Sequence, residues 1–205
     1  ESFNNVSFCV DVSLGEGGSS STNSDVDTVD SSDDSLIDTG DTGYSVVSEN
    51  SEFTLSSIAI DSDGEILSDY QCEEKVNGSE KSIPISWSNV PEGTGSLAIS
   101  IHAYTNSAVV ETNSYLTLWD IDPSVTEIVY GGADDGDWYM GPNKDGVGIS
   151  YTSPCNPNGN SSTYFMTIYA SENSLTVDYD TLIEAIGTVT LIDSIEMEYV
   201  SSPSN

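Results

Sequence analysis

The sequence predicts a mainly β protein: an antiparallel-rich β domain with one late helix, preceded by an N-terminal strand on an acidic arm. Three observations predict it. Short segments rich in Val, Ile, Thr and Tyr recur from Phe53 to Tyr199. Pro, Gly and Asn clusters with turn chemistry separate them. A single stretch carries helix start and stop signals. At 205 residues the chain is long enough for one well-buried domain, or for a domain plus an appendage.

Residues 1–14 form the first expected element. Val6, Phe8, Val10, Val12 and Leu14 alternate with Ser7, Cys9, Asp11 and Ser13, the period-2 pattern of a half-buried strand. Residues 15–52 read as an acidic arm rich in Ser, Asp and Gly, too poor in large apolar side chains to offset its own ordering entropy. The β domain is expected over residues 53–205. Its strands are predicted at Phe53–Ile60, Ser82–Ser88, Gly95–His102, Ser114–Asp120, Thr163–Ala170 and Ser194–Val200. Pro91-Glu92-Gly93-Thr94-Gly95 and Asn156-Pro157-Asn158-Gly159 read as tight turns. The helix is predicted over Asp178–Ile186, with acid in its first turn and Gly187 beyond its end.

Composition narrows function. Thirty-five carboxylates face Lys75, Lys81 and Lys144, with no arginine, for a net charge of −32. Such a surface repels itself and lacks the basic stripe that nucleic acid or an anionic bilayer needs. No apolar run reaches the length of a membrane helix, so membrane insertion is not expected. The chain reads as a mature secreted protein, extracellular or at the cell surface, from which a signal peptide has been removed. Asn5, Asn77 and Asn160 stand in glycosylation triplets, which occur often by chance. Cys9, Cys72 and Cys155 are an odd number: either one disulfide with a thiol left over, or three buried thiols.

Acidic clusters suggest calcium, a hard cation that takes several oxygen ligands from flexible loops. The arm offers Asp25, Asp27, Asp30, Asp33, Asp34, Asp38 and Asp41; two further groups are Asp61 with Asp63, and Asp134 with Asp135 and Asp137. Asp61-Ser62-Asp63-Gly64-Glu65 opens like a calcium loop but lacks the distal glutamate of an EF-hand. Solvated acid that keeps the chain soluble explains each cluster about as well. No glycosidase pair, nucleophile elbow or phosphate loop stands out, and His102 is the lone histidine, so no enzyme is expected. Trp87 and Trp119 fall within strand patterns and are read as core, whereas Trp138-Tyr139-Met140 is read as an exposed loop.

From Phe53 to Tyr199 the chain resembles the phosphatidylethanolamine-binding protein family, in its bacterial Raf-kinase-inhibitor-like branch. Phe53-Thr54-Leu55-Ser56-Ser57, Asp69-Tyr70-Gln71-Cys72, and Ile85-Ser86-Trp87-Ser88-Asn89-Val90-Pro91-Glu92-Gly93-Thr94 with Ser96-Leu97-Ala98 carry the likeness. Leu118-Trp119-Asp120-Ile121, Ser153-Pro154-Cys155-Asn156-Pro157 and Tyr164 with Ile168-Tyr169-Ala170 follow in the family's order. The resemblance implies a central antiparallel sheet and a small anion pocket near one end. It also implies a Cys72–Cys155 disulfide, which would close an 83-residue loop and add roughly 4 kcal/mol in the chain-entropy model. The pocket motifs differ. His102-Ala103-Tyr104-Thr105-Asn106 stands where the family has Asp-Pro-Asp-x-Pro, and Tyr115 and Ser162 replace its two histidines.

Two functional readings follow. In one, the protein is a non-enzymatic secreted subunit that self-assembles with copies of itself into a filament or tube. The N-terminal strand would add to a neighbour's sheet edge, with calcium screening the acidic subunits. In the other it is an exported monomeric small-ligand-binding module with a remodelled pocket lined by His102, Tyr104 and Tyr115.

Overall fold

The computed structural model describes residues 44–47, 53–106, 109–145, 149–156, 160–174, 186 and 189–203; for 44–47, 105–106 and 109–112 it describes the backbone alone. All belong to one compact unit, Gly40–Asn205. The N-terminal strand of residues 6–14, Cys9 and the aspartates of the arm lie outside the described residues, as does the predicted helix apart from Ile186.

Among the described residues, nine strands build two antiparallel sheets. The first orders β1 (Tyr44–Val47), β2 (Thr54–Ser57), β3 (Ile85–Ser88) and β6 (Glu127–Ile128) side by side. The second runs β7 (Tyr139–Met140), β5 (Val109–Ile121), β4 (Ser96–Asn106), β8 (Ser162–Ser171) and β9 (Leu191–Ser201). All six expected strands of the β domain are present. Three short ones escaped the sequence reading, because two to four residues cannot display a period. One of them, Tyr44–Val47, falls within the residues expected as the acidic arm and pairs with β2 from Tyr44↔Ser57 to Val47↔Thr54.

Alternation places the core. In β4, Leu97, Ile99, Ile101 and Ala103 are buried; in β8, Tyr164, Met166, Ile168 and Ala170; in β9, Ile195, Met197 and Tyr199. These join Phe53, Leu55, Ile85, Trp87 and Ile128 of the first sheet and its flanks in one apolar cluster, so both sheets share a core. Each fully buried Leu or Ile contributes about 1.5–3 kcal/mol of transfer free energy. On the second sheet's other face, Ala98 and Trp119 pack with Tyr169, Ile186 and Val189.

The β4–β8 register runs without interruption from Ser96↔Ser171 to His102↔Phe165. The β4–β5 register slips three times. Ile101 faces Leu116 and His102 faces Ser114, so Tyr115 is an extra residue on β5. A bulge of this kind re-aims a side chain, and Tyr115 joins the core although its neighbour Leu116 is core too. A second slip, between Leu97 and Ile99, places Asp120 at φ +61°, a conformation aspartate tolerates better than most residues.

Candidate ligand-binding site

The Tyr115 bulge starts an aromatic row at one end of the sheet. The Tyr115 and Tyr164 rings meet edge to face at 4.9 Å, and Tyr164 stacks on Tyr199 at 5.4 Å. The Tyr115 and Tyr164 hydroxyls are hydrogen-bond partners. Tyr151 and Tyr199 are each 1% exposed. Neither of their hydroxyls has a hydrogen-bond partner among the described residues. Burial pushes both phenols well above their ordinary range, and raises Tyr164 and Tyr115 as well. All four are neutral O–H groups at physiological pH.

Two of the chain's three lysines border this row. Lys144 is fixed by its backbone N–H to the Ser114 carbonyl at 2.7 Å, and its ammonium sits 5.5 Å from the Tyr115 ring centre. It donates to Asp145 at 3.0 Å, while Lys75 donates to the other Asp145 oxygen at 2.5 Å. The Lys75 bond first, then Lys144, holds the Asp145 carboxyl below its ordinary range. Glu80, 3.7 Å from Lys75, is 8% exposed. It is satisfied by the Thr152 hydroxyl at 3.2 Å and the Ser153 N–H and hydroxyl at 2.5 and 2.7 Å. Lys75 and Lys144 thus gather with Asp145 and Glu80, two of only three cations on a chain of charge −32, while the Glu73 carboxylate also acts on Tyr151.

The Cys72–Cys155 disulfide is present. It fastens the segment carrying Lys75 and Glu80 to the one carrying Tyr151, Thr152 and Ser153.

The pocket expected from His102, Tyr104 and Tyr115 is not assembled. Ile101 and Ala103 point into the core, so pleating sends His102 and Tyr104 to the opposite face. There they group with Phe165, at ring distances of 5.4 to 5.5 Å. Burial lowers the His102 pKa and favours the neutral ring. Only Tyr115 of the three belongs to the core-side row. A sequence reading cannot foresee a one-residue bulge, and that bulge decides which face Tyr115 joins.

Among the described residues no three His, Cys, Asp or Glu side chains gather as metal ligands. Asp61 spends its carboxylate on its own turn, accepting the Asp63 and Glu65 N–H groups at 2.9 Å each. Asp134, Asp135 and Asp137 are exposed. Asp25, Asp27, Asp30, Asp33 and Asp34 lie outside the described residues. Trp87 and Trp119 are core, at 3% and 5% exposure. Trp138 is half-buried rather than free, its indole N–H held by the Ala133 carbonyl at 2.8 Å. It stands between a cleft of about 380 Å³ lined by Asp120, Asp122 and Asp137 and one of about 330 Å³ lined by Asp134 and Met140.

Lys75, Glu80, Lys144, Asp145, Tyr151 and Tyr199 were missed as site residues. The scarcity of lysine was the one signal that could have singled out two of them.

Two antiparallel sheets thus share one core that ends in a row of buried tyrosines. The family model described as phosphatidylethanolamine-binding protein matches residues 56–194, and the chain belongs to that family. It is similar in fold to a phosphatidylethanolamine-binding protein homologue from Chlamydia trachomatis. The two share 24% identity over 73% of this chain and 97% of that one, with a TM-score of 0.59. A second solved relative in fold is Escherichia coli YbcL, described as a member of the mammalian family. It is 18% identical over 73% of this chain and 98% of its own, with a TM-score of 0.57. No curated protein matches the chain.

Proposed function

We propose that the protein is an exported, non-enzymatic small-ligand-binding module whose site is the tyrosine-lined end bordered by Lys75, Lys144 and Asp145. One observation carries this reading. Tyr151 and Tyr199 keep buried hydroxyls without a protein partner among the described residues, an arrangement that costs about 1–3 kcal/mol per group unless something else accepts the bond. A ligand with acceptor oxygens that reached this end would satisfy both hydroxyls.

Isothermal titration with glycerol, glycine and inorganic phosphate tests the reading across the three charge classes. Saturable binding of one probe, weakened about tenfold or more by Tyr199→Phe or Lys144→Ala, supports it. Binding by none of the three, or binding indifferent to both substitutions, overturns it.

A second reading is self-assembly by strand donation with calcium support, favoured by the alternation of Val6, Phe8, Val10, Val12 and Leu14. Electron microscopy of the intact protein with and without calcium, beside a chain lacking residues 1–14, decides it. Fibres that need both the segment and the cation are the expected result, and particles that stay single throughout dismiss it.

A further inference from the structure

Cys72 and Cys155 are both exposed, although the segments they join build the candidate site. The seam beside the disulfide is made of hydrogen bonds rather than strand pairing, several of them to the buried Glu80. Cys72 N–H donates to the Pro154 carbonyl at 2.9 Å, Glu73 N–H to the Ser153 hydroxyl at 2.8 Å, and Ser153 N–H to Glu80 at 2.5 Å. Lys75, three residues beyond Cys72, is half exposed and reaches the site through ion pairs with Asp145 and Glu80. Neither segment is a strand of either sheet, so no ladder holds them together once the covalent tie is gone.

We propose that the Cys72–Cys155 disulfide is a redox latch on the tyrosine-lined site, opened by an external dithiol. A dithiol thiolate attacks one exposed sulfur, and the Cys72–Cys155 bond breaks as a mixed disulfide forms. The reagent's second thiolate resolves that intermediate. Two electrons and two protons pass to Cys72 and Cys155, which end as thiols, and the dithiol leaves as its own disulfide. The Lys75 segment then lifts from Ser153 and Pro154, uncovering Tyr151 while the two sheets stay intact. This proposal rests on the ligand-site reading above, but its opening motion does not need a ligand to be observed.

The test is amide hydrogen exchange on the full chain in a Cys9→Ser background, oxidised and after treatment with dithiothreitol, with thiols counted in parallel. Two titratable thiols per folded chain are expected, since one disulfide yields two. Cys72, Glu73 and Ser153 amides should exchange about tenfold faster or more, with β4 and β8 amides unchanged. A Cys72→Ser, Cys155→Ser double variant should reproduce the reduced pattern without reagent. Three results overturn the latch: no reduction in the folded state, reduction with unchanged local exchange, or loss of protection throughout both sheets. If exchange opens locally but the affinity of a bound probe is indifferent to reduction, the latch stands and the ligand reading falls.

Discussion

The Lys75 ammonium donates to Asp145 at 2.5 Å across a sequence separation of 70 residues, and Lys144 takes the second oxygen of the same carboxylate. Two of the three cations are thereby spent on one acid of thirty-five. Such a concentration is the opposite of spreading charge for solubility, and it marks the bulged end of the sheet as the place where local electrostatics differ from the rest of the surface.

Asp145→Asn should therefore lower the melting temperature at neutral pH. The Asp145 pKa is depressed in the folded state, so its contribution is fully present above the unfolded value near about 3.9 and lost as pH falls through the folded value. Melting curves of the two proteins at stepped pH should converge on the acid side. A gap that widens there contradicts the ion-pair assignment.

Tyr199→Phe should stabilise the ligand-free protein by about 1 kcal/mol, because it removes a buried hydroxyl that has no partner among the described residues. Urea denaturation reads this directly. A clear loss of stability instead would reveal a bound water or another hidden acceptor.

Tyr130 donates to Glu73 in a short bond, and its pKa is pushed up to about 12, mainly by that bond. The stabilisation is present below the unfolded value near about 10 and is lost as pH rises through the folded value. Glu73→Gln should move this phenol down toward the ordinary range, seen as one tyrosinate appearing earlier in an absorbance titration. In a Tyr130→Phe background, the same Glu73→Gln change should leave the titration curve where it was.

Core substitutions should behave by burial. Ile101→Ala, at a fully buried position of β4, should cost about 2–5 kcal/mol. Gly95→Ala places a methyl 2.2 Å from the Glu172 carbonyl oxygen; a backbone neighbour cannot swing aside, so about 1–3 kcal/mol is expected. Chemical denaturation measures both.

The larger strands were legible because alternation such as Leu97, Ile99 and Ile101 is written by the side that must leave water. The Cys72–Cys155 bond was legible through the family's order of motifs. β6 and β7 were not, being two residues each and made by pairing with β3 and β5 rather than by their own pattern. For the site, Tyr115 was found, but His102 and Tyr104 were grouped with it because all three stand at positions of the family's pocket motifs. The bulge puts them on opposite faces. Tyr151, Tyr199, Lys75 and Asp145 come from remote parts of the chain and meet only through tertiary packing, which no local pattern encodes.

The covalent bond between Cys72 and Cys155 encircles β3 through β7 and, with them, the exposed Glu92-Gly93 tip. A protease that nicked that tip would leave two polypeptides still migrating as one particle. The scission would pass unseen on a non-reducing gel and split into two bands on a reducing one. A molecule cut there would hold its two pieces together until the disulfide itself was reduced.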